Sequence, residues 1–135
     1  MSNSGWIGVD LDGTLAFYDK WVNWNVIGHP IPKMMDRVNR WVHEEGREVR
    51  IFTARVSFKN DICKVSGEPF TRDDVTRIIQ EWLVNQGLLP LEVTHKKDFR
   101  MIELWDDRAI QVIPNTGQTI ADELASIQAA LAGKP

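Results

Sequence analysis

Four places in the chain carry side chains suited to handling a phosphoryl group. Asp10 and Asp12 stand in Asp10-Leu11-Asp12-Gly13-Thr14, Arg55 closely follows Thr53, Lys96 and Lys97 are adjacent, and Asp106-Asp107 form an acidic pair. Carboxylates gathered in one crevice repel one another, and such a set of hard oxygen ligands is stable mainly when a cation such as Mg²⁺ compensates it. Mg²⁺ takes one or two protein carboxylates, keeps some water and accepts phosphate oxygens in its remaining positions. A lysine adds a point charge for the phosphate, and a threonine hydroxyl donates a hydrogen bond to it. With a reference pKa of about 3.9, Asp10 is expected to be ionised at neutral pH and able to attack phosphorus without a base. Asp12 is spaced to protonate the departing oxygen and later to activate water, and Gly13 permits the tight turn after the two acids.

These residues work together only if the fold gathers them. Trp6-Ile7-Gly8-Val9 reads as a buried strand that ends at Asp10, and Val49 to Thr53 reads as a second strand ending on the hydroxyl. Between them Pro32 opens a helix, Met34, Met35, Val38, Trp41 and Val42 repeat at the spacing of one helical face, and Gly46 ends it. The stretch Val56 to Phe70 has no period and reads as an irregular loop. Thr71-Arg72-Asp73-Asp74 resembles a capping box, followed by a helix with Val75, Ile78, Ile79, Trp82 and Leu83 on one face and a stop near Gly87. Three short strands are expected at Leu91 to Thr94, Ile102 to Trp105 and Gln111 to Ile113. A last amphipathic helix, with Ile120, Leu124, Ile127 and Leu131 on one face, is expected to cover the sheet.

Alternating strands and helices imply an α/β fold with a parallel sheet and helices on both faces. In such sheets ligands bind beyond the carboxyl ends of the strands, where strand order reverses, and the candidate residues all fall at strand ends. Taken singly, each has a commonplace explanation as a loop acid, a β-forming threonine or a solvated lysine pair; their joint order along the chain does not.

The 135 residues, 43% hydrophobic and 26% charged, suit one domain spanning 1–135 with a single core, and six tryptophans enrich that core in aromatic surface. A net charge of −3 without a long Lys/Arg run argues against general nucleic-acid binding. The single cysteine, Cys63, excludes an internal disulfide. The opening five residues do not read as a leader and no apolar run approaches the ~20 residues of a membrane span, so a cytoplasmic protein with no membrane partner is the expectation.

Ile7-Gly8-Val9-Asp10-Leu11-Asp12-Gly13-Thr14-Leu15 resembles the first motif of the haloacid dehalogenase superfamily of phosphatases, a hydrophobic strand followed by Asp-x-Asp-Gly-Thr-Leu. Ile51-Phe52-Thr53, a lysine, and Ile102-Glu103-Leu104-Trp105-Asp106-Asp107 resemble the other three motifs, in family order. The resemblance runs from about residue 6 to 113. It implies a Rossmann-like three-layer α/β/α sandwich with a mainly parallel sheet and its first strand central.

It also implies that Asp10 is nucleophile and metal ligand, and that Asp12 is the general acid/base and binds Mg²⁺ through its backbone carbonyl. Thr53 and a lysine hold the phosphoryl group, with Gly13, Thr14, Ala54 and Arg55 beside it. Lys97 is chosen because it closes a Thr-x-x-Lys arrangement, while Lys96 stays open; either Asp106 or Asp107 completes the metal site and the other supports it. Arg55 and Arg108 are each as well suited to pairing with an acid as to meeting substrate.

The expected activity is hydrolysis of a phosphate monoester through an aspartyl-phosphate. The substrate is a small phosphorylated compound, a nucleotide being one candidate because Asp106-Asp107-Arg108 resembles some deoxyribonucleotidases. Two other classes stand beside it: a receiver-like phosphoacceptor, whose acidic pair would come early in the chain, and a non-catalytic binding protein of the same fold, which the intact Asp12 disfavours. The stretches between motifs are too short for the family's cap domain. Tyr18 to Ile31, with Trp21, Trp24 and His29, is left to form at most a small rim; its tryptophans read as packing groups, and Gly28 and Pro30 read as a turn rather than a packed lid, leaving the site open.

Overall fold

Trp6–Val9 forms strand β1, and all four of its residues are buried. The computed structural model describes residues 5–133; residues 1–4, most of the opening read above for a leader, and 134–135 lie outside them. β1 pairs in parallel with β2 (Glu48–Phe52) on one side and β6 (Met101–Trp105) on the other, and β5 (Glu92–Thr94) adds to β2 in parallel. The strand order β5-β2-β1-β6 therefore places the first strand inside the sheet. Chain direction reverses its lateral progress at β1, so the switch point of this α/β sheet lies between the carboxyl ends of β1 and β6.

In the registers Ile7 opposite Val49 and Val9 opposite Ile51, the four side chains share one face, since strand side chains alternate. Helix α1 (Pro32–Asn39) lays Met34 and Val38 into the core cluster with them, and α2 (Arg72–Asn85) adds Val75, Ile79 and Leu83. Fully burying one such side chain stabilises by roughly 1.5–3 kcal/mol, so this face holds the sheet and both helices together. α1 begins on Pro32 as expected and runs on as a π-helical turn, Arg40–Glu44, that brings Trp41 against Trp105 with ring centroids 5.1 Å apart. The expected capping box opens α2: the Asp74 N–H donates to Thr71 Oγ1 (3.2 Å) and the Thr71 N–H to Asp74 Oδ2 (2.8 Å).

Three expectations about single segments are corrected. Val56 to Phe70 is not irregular throughout, because Asn60–Ile62 (β3) and Pro69–Thr71 (β4) form an antiparallel hairpin, with Phe70 buried and stacked on Trp24. Gln111 to Ile113 forms no strand, since Val112 makes only an isolated bridge to Thr119 around a turn with Asn115 and Gly117 at positive φ. Helix α3 (Ile120–Ala132) exists but buries none of its residues and does not cover the sheet.

On the Trp6 face of the sheet polar groups cover the Trp6 ring instead, while Ile102 and Leu104 of β6 stay exposed. Arg50 lies 4.5 Å over the Trp6 ring, and Asp98, on the segment joining β5 to β6, accepts a 2.9 Å hydrogen bond from Trp6 Nε1. Helices on both faces, the outer layers of a three-layer sandwich, are thus not what these residues build there. No helix among the described residues is long and apolar enough to cross a membrane.

Candidate active site

At the end of β1 the chain turns sharply. Asp10 N–H still donates to the Trp105 carbonyl of β6 (2.9 Å), while Leu11 N–H turns back onto Asp10 Oδ1 (2.9 Å). Gly13 N–H to Ala16 O and Ala16 N–H to Leu11 O, both 2.8 Å, then close a small loop. Gly13 is required there twice over: its φ is +89°, and a Cβ would fall 2.5 Å from Asp107 Oδ2. Thr14 Oγ1 donates to Asp107 Oδ1 at 3.2 Å, so the loop after β1 and the acidic pair after β6 are built against each other.

Asp10, Asp106 and Asp107 each bring one carboxylate oxygen to within 4.8 Å of the others at the switch point. Burial, a hydrogen bond with Asp107 and the negative charges of Asp106 and Asp107 push the Asp10 carboxyl up to about 8. Asp10 is therefore protonated at neutral pH when no cation is present, against the expectation from its reference value. A hard cation among the three oxygens supplies the missing positive charge and reverses that balance, and an all-oxygen carboxylate set fits Mg²⁺.

The Asp12 carboxylate is not part of this trio. It lies in a fork of Arg55, Nε to Oδ2 at 2.7 Å and Nη2 to Oδ1 at 2.8 Å. Arg55 is 7% exposed, and its remaining donors reach the carbonyls of Trp24 (Nη1, 3.1 Å) and Val26 (Nη2, 2.9 Å). The segment 18–28 is thereby tied to the acid. Its base is pinned by Phe17 N–H to His29 O and Ile31 N–H to Leu15 O, both 2.8 Å, with Gly28 so close that a Cβ would strike the Phe17 carbonyl. Trp24 packs on Phe70 as a packing group should, ring centroids 4.8 Å apart. Trp21 does not: it is 54% exposed, with the Arg55 guanidinium 4.8 Å from its ring centroid. The stretch read as a turn rather than a packed lid is thus a fastened flap.

A cleft of about 440 Å³ opens over these groups. Asp10, Asp12, Asp106 and Asp107 line one part of it, with Thr53, Ala54, Arg55 and Arg108. Thr53 is 2% exposed, and its Oγ1 accepts from Arg55 N–H (3.1 Å), which leaves the hydroxyl hydrogen free to donate into the cleft. Of the residues expected to meet phosphate, Arg55 pairs with an acid, and Gly13 and Thr14 act through Asp107. Lys96 and Lys97 are exposed on the segment after β5, and neither is among the residues lining the cleft. Tyr18, Trp21, Phe52 and Phe58 form its aromatic part. Phe58 was hidden in the aperiodic loop, and Trp21 was indistinguishable by sequence from its packed neighbour Trp24.

No protein-family model matches the chain. No curated protein matches it. Among solved structures it is similar to a conserved protein from Bacteroides thetaiotaomicron, with a TM-score of 0.50 and 21% identity over 98% of this chain and 100% of that one. Likeness at that identity speaks to the fold alone.

Proposed function

We propose that the chain is a magnesium-dependent phosphohydrolase of the haloacid dehalogenase type that hydrolyses a phosphate monoester through an aspartyl-phosphate on Asp10. The observation that carries this reading is the convergence of the Asp10, Asp106 and Asp107 carboxylates within 4.8 Å at the switch point, with Asp12 on the same cleft. Asp10, Asp106 and Asp107 would hold the cation, which when bound neutralises phosphate and carboxylate charge and keeps Asp10 ionised. An Asp10 oxygen forms the new bond to phosphorus as the bond from phosphorus to the leaving oxygen breaks. Asp12, a carboxylate held in the Arg55 fork at rest, takes up a proton from solvent as one arm of the fork opens and gives it to that oxygen. Water then attacks the phosphorus of the aspartyl-phosphate, Asp12 takes the proton back, and inorganic phosphate leaves with Asp10 regenerated.

The buried Thr53 hydroxyl and Arg108 are the cleft groups able to bind phosphoryl oxygens. Arg55 orients Asp12, which must open one arm of the fork to reach a leaving oxygen. Release of inorganic phosphate from a panel of monoesters with Mg²⁺ tests the reading, alongside the Asp10→Asn protein. Turnover in the wild type and none in the variant is expected. Equal rates in both would remove the covalent mechanism.

A further inference from the structure

The acids occupy only part of the cleft, and what faces the remainder has a distinct chemistry. Tyr18 and Trp21 come from the flap, Phe52 from the end of β2 and Phe58 from the loop after Thr53. Three separate segments thus bring aromatic rings to one opening beside the carboxylates. Trp21 stands 54% exposed and Tyr18 37%, although Trp24 in the same flap is packed away on Phe70. Aromatic area left exposed at a cleft is surface that a flat ligand can cover. The flap carrying Trp21 is fastened at Trp24 and Val26 by the same guanidinium that lies against its ring and grips Asp12. A tryptophan has only two side-chain torsions to freeze, so a flat surface is presented at low entropic cost at a fixed distance from the general acid.

From this arrangement we infer that the leaving group carries a planar aromatic ring that stacks on Trp21, flanked by Tyr18 and Phe58, and that the substrate class is a free nucleoside monophosphate. The inference rests on the phosphohydrolase reading and adds the substrate to it. Both a mononucleotide and the phosphorylated end of a strand offer a phosphoryl group beside a base. The free monophosphate is favoured because the chain is net acidic, at −3, and a strand would need cationic groups along its backbone. Arg108 is the one cleft-lining cation among the described residues whose side chain is not already engaged by an acid. One such charge suits one phosphate.

The test compares nucleoside 5′- and 3′-monophosphates with ribose 5-phosphate and glycerol phosphate, and with short oligonucleotides bearing a terminal phosphate. Turnover is measured with wild type, Trp21→Ala and Trp21→Phe in Mg²⁺, and binding to the same ligands is measured by calorimetry with the Asp10→Asn protein and its Trp21→Ala double variant. Base-on-aromatic stacking predicts a kcat/KM ratio of nucleotide to ribose phosphate of about ten or more, kept by Trp21→Phe and lost by Trp21→Ala. The same ratio in the binding arm, abolished in the double variant, supports ring recognition even without turnover, in which case only the hydrolytic reading fails. Ring-less monoesters turned over as well as nucleotides would overturn the inference and leave the phosphohydrolase standing. A Trp21→Ala protein that kept the preference would also overturn it, as would oligonucleotide ends preferred over free nucleotides. Neither binding nor turnover of any monoester would remove both.

Discussion

Arg55 and Asp12 meet through two parallel hydrogen bonds, Nε to Oδ2 at 2.7 Å and Nη2 to Oδ1 at 2.8 Å, although 43 positions separate them in the chain. The same guanidinium holds the carbonyls of Trp24 and Val26, so one side chain joins the proposed general acid to the flap over the cleft. Arg55→Ala strands Asp12 without its counter-charge and frees the flap. Breaking a largely buried pair from one side costs about 3 kcal/mol, and losing a positioned acid costs about 10² in kcat or more. Arg55→Lys keeps the charge without the fork and should recover only part of either. Urea unfolding and kcat of the two variants measure this, and a lysine variant equal to wild type in both would show that the fork has no role.

The Asp10 carboxyl, pushed up to about 8 by burial and its acidic neighbours, sets a pH dependence of known sign. Its folded pKa lies above the unfolded value of 3.8, so the folded state binds the proton more tightly. That contribution is full below the unfolded pKa and is lost as pH rises through 8. Metal-free wild type should therefore lose stability relative to Asp10→Asn between pH 5 and pH 8, and the variant should be the more stable at pH 8. The site is only partly buried, so the slope is shallower than the ~1.4 kcal/mol per pH unit of one fully coupled proton. Mg²⁺ competes with that proton and should raise Tm more at pH 8 than at pH 5.5. Thermal unfolding in chelator and in millimolar Mg²⁺ at both pH values decides it: a Tm gap between variant and wild type that stayed flat with pH would falsify the assignment.

Gly13 and Gly46 both have positive φ, at +89° and +62°, but only Gly13 has a neighbour where a Cβ would go. Gly46→Ala is expected to cost about 1 kcal/mol of stability through strain alone and to leave turnover intact. Gly13→Ala adds a collision with the Asp107 carboxylate and should displace one of the three metal-facing oxygens. Its larger effect should be on Mg²⁺ affinity, which falls about tenfold or more as the oxygen set is disturbed. Calorimetric Mg²⁺ titration of both variants separates the two outcomes.

How far these features were legible in the sequence follows from the range of the forces that set them. Asp10, Asp12 and Gly13 were readable because a buried strand followed by a tight polar turn is a local pattern, and the capping box at Thr71 and Asp74 is equally local. The approach of Asp106 and Asp107 to Asp10 followed from parallel strands pointing their carboxyl ends one way. Nothing local says that Arg55 turns to Asp12 rather than to substrate, since that depends on where the flap carbonyls lie. Lys97 was chosen for a local Thr-x-x-Lys arrangement, and that arrangement says nothing of which residues line the cleft, among which Lys97 is not found. The raised Asp10 carboxyl likewise depends on neighbours distant in sequence.

Helix α3 separates amphipathic pattern from burial, and it can be tested directly. Ile120, Leu124, Ile127 and Leu131 repeat as a core-facing stripe does, yet their exposures run from 41% to 63% and no residue of the helix is buried. Side chains that stay about half exposed in the folded chain lose only part of their surface and contribute correspondingly little to stability. Leu124→Ser should therefore change the stability of the monomer by less than ~0.5 kcal/mol. Leu83→Ala, at a fully buried position of α2, should cost about 2–5 kcal/mol. A 13-residue helix with only its Thr119 and Asp122 capping box to support it is also marginal in water, so amides of 120–132 should exchange far faster than those of β1. Urea unfolding of both variants and amide exchange of the wild type provide the measurements. A Leu124→Ser penalty as large as that of Leu83→Ala, with slow exchange across 120–132, would mean that the stripe is packed in solution and that α3 has a partner surface.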